Sequence, residues 1–67
     1  MFRYRYELRD TNDLLVATGH LTLDQPLEAG DHVTIGRARG RVRSVAATFG
    51  SQELQLIVEL LPAATNR

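Results

Sequence analysis

The chain has 67 residues, with eight basic and eight acidic side chains and a formal net charge of zero. That length holds one domain at most, and the absence of cysteine excludes disulfides and thiolate metal sites. A hydrophobic fraction of 43% is too high for a disordered chain.

The dominant period is two. Phe2, Tyr4, Tyr6 and Leu8 alternate with Arg3, Arg5, Glu7 and Arg9. Successive strand side chains point to opposite faces, so this reads as a half-buried strand with an aromatic inner face. Phe2 and Tyr6 are expected in the core, and Tyr4 at the rim with its hydroxyl satisfied. Asp10, Thr11, Asn12 and Asp13 then favour a turn through local side-chain bonds to the backbone. A second strand covers Leu14 to Leu23 and makes a long hairpin with the first. Leu15, Ala17, Gly19, Leu21 and Leu23 share its inner face, and Gly19 is expected at a bulge or corner.

Asp24 to Asp31 reads as a loop, because Pro26 cannot donate to a ladder and Gly30-Asp31 is turn chemistry. His32 to Ile35 is a short strand with Val33 and Ile35 inward. Arg39 to Ala47 is the fourth. Val42 and Val45 have opposite parity there, so a bulge near Ser44 is expected. Thr48 to Ser51 is a hairpin turn, and Gln52 to Leu60 is the fifth strand, with Leu54, Leu56, Val58 and Leu60 inward. Residues 1–61 thus form one β-barrel domain, and residues 62–67 a flexible C-terminal tail after Pro62. The expected fold class is all-β, a small five-stranded, mainly antiparallel barrel whose closure removes exposed edges.

One stretch is similar to a known group. Ala29-Gly30-Asp31-His32-Val33-Thr34-Ile35-Gly36, followed by Gly40-Arg41-Val42-Arg43-Ser44-Val45, resembles the SH3-like small β-barrels. The KOW modules of ribosome- and transcription-associated proteins are similar in this stretch. The resemblance covers about a quarter of the chain. It departs from KOW in its shorter turn and its lack of lysine. It implies the barrel fold and raises RNA binding as an expectation; fold alone does not assign function.

Two surfaces stand out as candidate sites. Arg37, Arg39, Arg41 and Arg43 recur at every second position. If the strand is extended throughout, all four project from one face, where their forked donors suit phosphate. Arg3, Arg5 and Arg9 add a second outward row. The competing reading is a solvated outer face neutralised by Glu7, Glu53 and Glu59. The other surface is apolar. Leu14, Val16, Ile57 and Leu61 fall on the outward parity, and an outer apolar patch marks an interface. It would serve a homo-oligomer or a protein partner.

No catalytic set is evident. His20 and His32, with Asp24 and Asp31, match no compact metal-binding motif. Ser44 and Ser51 have no neighbouring base, and Glu53 and Glu59 are too far apart along one strand for shared acid–base work. No cofactor, metal, small-molecule substrate or membrane span is expected: the longest apolar runs fall far short of the roughly 20 residues a span needs. The reading is a cytoplasmic, non-enzymatic interaction module that self-associates or docks on a protein. The alternative is an RNA- or DNA-binding module using the arginine strand.

Overall fold

The structure, a computed structural model, describes residues 1–61. The expected tail at 62–67 lies outside the described residues. Five strands follow the alternation seen in the sequence: β1 (Phe2–Arg9), β2 (Leu15–Leu23), β3 (His32–Ile35), β4 (Ala38–Ala47) and β5 (Leu54–Leu60). They form one curled sheet, in the order β2-β1-β5-β4-β3.

The sheet is mixed, which corrects the mainly antiparallel expectation. Three pairings are antiparallel, but β1 and β5 run parallel, from Tyr4 opposite Leu54 to Arg9 opposite Glu59. The cause is strand parity. Each of the four connections, the long one included, reverses the chain, so β1 and β5 point the same way when they meet side by side. The sheet also stays open: β2 and β3 are its two edges.

The long connection forces the curl. Leu23 lies level with Phe2, whereas His32 lies level with Arg9 through Arg41 and Glu59. On a flat sheet these ends would be roughly 30 Å apart, given strands about 4.8 Å apart and a rise of about 3.4 Å per residue. Asp24 to Asp31 reaches only about that far at full stretch. It is not fully stretched, because Asp31 N donates to Glu28 O and Glu28 N to Asp31 Oδ2. Curling brings the edges within reach and folds the connection over the inner face.

The inner face holds the core. Tyr4, Leu8, Val42, Leu56 and Val58 are buried, with Phe2, Tyr6, Leu21, Leu23, Leu27, Val33, Ile35, Val45, Leu54 and Leu60 packed around them. Tyr4 is fully buried, not at the rim, while Phe2 and Tyr6 are half-buried. The crossing connection explains the exchange: it seals Tyr4 and supplies the Leu27 amide to its hydroxyl at 2.8 Å.

Two irregularities adjust the faces. The bulge expected near Ser44 is present, as a register shift between Val42 and Ser44 that turns Val45 inward. The irregularity expected at Gly19 comes earlier. The β1–β2 register shifts between Leu8 and Arg9, so Val16 is the extra residue and Leu15 lies opposite Arg9. Gly19 serves another purpose. It lies opposite Tyr6, and a Cβ there would be 2.6 Å from the Tyr6 hydroxyl oxygen. The missing side chain makes room for the aromatic ring.

Candidate functional site

The outer face is built from cross-strand rows. One row runs Arg9, Glu59, Arg41, His32 across four strands, and another runs Thr18, Glu7, Ile57, Ser44. Opposite charges alternate here and engage one another. Arg9 Nη2 donates to Glu7 Oε1 at 2.9 Å, and Arg43 Nη1 to Asp13 Oδ1 at 2.8 Å, with Glu59 Oε1 4.0 Å from Arg43 Nε. Such partly or fully exposed pairs contribute about 1 kcal/mol or less each. The cradle for Asp13 comes from the Asp10 turn, where Asp10 Oδ1 accepts from the amides of Asn12 and Leu14.

The four arginines are not equivalent. Arg39, Arg41 and Arg43 are exposed on the outward parity of β4, while Arg37 lies in the two-residue turn between β3 and β4. Gly36 opens that turn with φ 62°, as tight hairpins require. Among the described residues, the ion pairs engage Arg43 but not Arg37, Arg39 or Arg41.

The expected apolar patch divides. Leu14 and Val16 are exposed at 63% and 51%, and Leu15 joins them at 54%. Ile57 and Leu61 are half-buried. Ile57 is separated from β2 by β1, whose Glu7 lies beside it. The bulge at Val16 is what adds Leu15, through its position opposite Arg9; strict alternation had assigned it inward. The resulting cluster, Leu14-Leu15-Val16, lies where β2 begins, on an open edge of the sheet. Phe49, at the tip of the β4–β5 hairpin, is fully exposed.

The histidines are kept apart, with His20 on one edge strand and His32 on the other. His20 Nδ1 is 2.9 Å from Glu53 Oε2, a pairing across 33 positions that sequence spacing did not reveal. No group of three or more His, Asp or Glu among the described residues is arranged to hold a metal ion. A shallow cleft of about 300 Å³ lies beside this pair, lined by Arg5, Glu7, Thr48, Ser51, Glu53 and Gln55. No described helix is long and apolar enough to cross a membrane. No family model, curated protein or solved structure matches the chain.

Proposed function

We propose that this chain is a small, non-enzymatic interaction module, akin to the SH3-like barrels, that docks on protein through its β2 edge. The observation that carries the reading is the exposure of Leu14, Leu15 and Val16 together on an open strand. Unpaired backbone groups along an edge give affinity to an extended partner, and adjacent apolar side chains add burial. The SH3-like kinship is supported by the five-stranded curl and the Ala29–Val45 stretch. A photoreactive residue in place of Leu15, with a control at Thr34 on the β3 edge, tests the docking in cells. Protein adducts from position 15 but not 34 are expected. Equal yields from both positions, or none from 15, would reject it.

A second reading rests on Arg37, Arg39 and Arg41, which are exposed and outside the ion pairs among the described residues. They offer a row of forked donors to a phosphate backbone. Binding to a mixed RNA oligonucleotide would then weaken steeply with salt. Binding unchanged by Arg39→Ala plus Arg41→Ala would count against this reading.

A further inference from the structure

Natural edge strands are guarded against pairing with another chain, by charge, proline, bulges or short length. The two edges of this sheet differ in that respect. β3 is four residues long and is followed by Gly36-Arg37. β2 is nine residues long, and its sequence Leu-Val-Ala-Thr-Gly-His-Leu-Thr-Leu contains no acid, arginine, lysine or proline. Charge resumes only at Asp13 and Asp24, on either side of the run. The one irregularity, at Val16, lies near the start and leaves Ala17 to Leu23 in unbroken register with β1.

The outward amide and carbonyl groups of such an edge are a ready-made template for another extended chain. We infer that the occupant is a second copy of this protein, its β2 antiparallel to the first, joining two five-stranded sheets into one of ten strands. This rests on the β2 docking proposed above and names its partner.

Three features favour the same strand as partner. The first is self-complementarity. Antiparallel pairing about a two-fold axis at Gly19 sets Ala17 to Leu21, the stretch clear of the bulge, in register with its copy. Thr18 then faces His20 of the second copy, and Ala17 faces Leu21. Parity is preserved, so the two inner apolar faces continue into each other. At either end of this stretch the Val16 bulge of one copy, itself about half exposed, comes beside Thr22 of the other. The second is electrostatic. The net charge is zero, so the copies have no overall repulsion. The charged rows of the two β1 strands would be three strand spacings apart, about 14 Å, beyond the screening length of about 10 Å in 0.1 M salt. The third is closure. A two-fold pair consumes both β2 edges and stops. Docking β2 on the unpaired end of β4 in another copy would instead give larger rings or open filaments.

The test uses the purified full chain. Sedimentation is followed from about 10 μM to about 1 mM, the span of weak to moderate affinity. In parallel, Thr18→Cys and His20→Cys proteins are mixed in equal amounts and gently oxidised. Both positions are exposed, so neither variant threatens the core. Facing positions have Cβ atoms about 5 Å apart, near disulfide range, whereas 18–18 and 20–20 pairs are diagonal and farther. We expect a reversible dimer and an 18–20 disulfide well beyond its share in random pairing. A dimer without that preference would overturn β2 self-pairing and leave the docking module intact. A ladder of larger assemblies would overturn it too. A monomer throughout would also reject the second copy, and the cellular crosslink at position 15 would then decide the docking reading separately.

Discussion

The Tyr4 hydroxyl accepts the Leu27 amide at 2.8 Å, which ties the second residue of the inner aromatic row to the middle of the β2–β3 connection. One hydrogen bond therefore links the sheet's centre to the segment that bends it. Tyr4→Phe leaves the ring in place and the amide without its partner. An expected loss of about 1–2 kcal/mol follows, read as a lower urea midpoint with an unchanged slope. Proteolysis within Asp24–Asp31 should also accelerate. An unchanged midpoint and cleavage rate would mean that the connection is held by other contacts.

Leu56 and Leu15 are the same residue type in opposite settings. Leu56 is fully buried between Tyr6 and Val45, and Leu15 is more than half exposed. Leu56→Ala should cost about 2–5 kcal/mol, a large share of what a domain this small possesses. Leu15→Ala should stay within about 0.5 kcal/mol in the monomer. Comparable thermal shifts for the two would contradict the assignment of faces.

Two glycines are predicted to resist alanine for different reasons. At Gly40 a Cβ would meet the Val58 side chain and, at 3.0 Å, the carbonyl oxygen of Glu59. Backbone cannot step aside, so Gly40→Ala should cost about 1–3 kcal/mol. At Gly19 the obstacle is the far end of the Tyr6 ring, which can swing away. Gly19→Ala should cost less, and a Tyr6→Leu background should remove the penalty. A double-mutant cycle gives that coupling directly; additive effects would show that ring and glycine are independent.

Asp13 holds a left-handed backbone, φ 66°, while its carboxylate receives Arg43. Asp13→Gly relieves the first and loses the second, so little net change is expected. In an Arg43→Ala background only the relief remains, and Asp13→Gly should stabilise by several tenths of a kcal/mol. Denaturation in low and high salt separates the two effects, because only the ion pair is screened. A destabilised double variant would place the value of Asp13 elsewhere, in its turn.

Strand positions were legible because alternation is local: Phe2 to Leu8 and Leu54 to Leu60 declare their faces in seven residues each. The Val42/Val45 change of parity disclosed its bulge in the same way. What local pattern could not disclose was pairing. Nothing in Tyr4 or Leu54 says that they are parallel neighbours, and the depth of Tyr4 depends on a connection that begins 20 residues later. The Val16 bulge was hidden because Leu14, Leu15 and Val16 are all apolar and so carry no parity signal. That same lack of signal leaves Leu15 out of the outward patch that the alternation alone defines. The spacing of the four arginines suggests one row, but Gly36 turns the chain at Arg37 and takes it off the strand.

The parallel seam between β1 and β5 has a consequence for synthesis. Of the five strands, the sheet's central one, β5, is made last, and its parallel neighbour β1 is made first. Until Leu54 to Leu60 emerge, β1 has a neighbour on one side only, and the aromatic row of Phe2, Tyr4 and Tyr6 has no Leu56 to lie beside. A nascent chain halted in the β4–β5 hairpin would hold two separate hairpins and no centre. Folding of this sheet therefore awaits the delivery of β5.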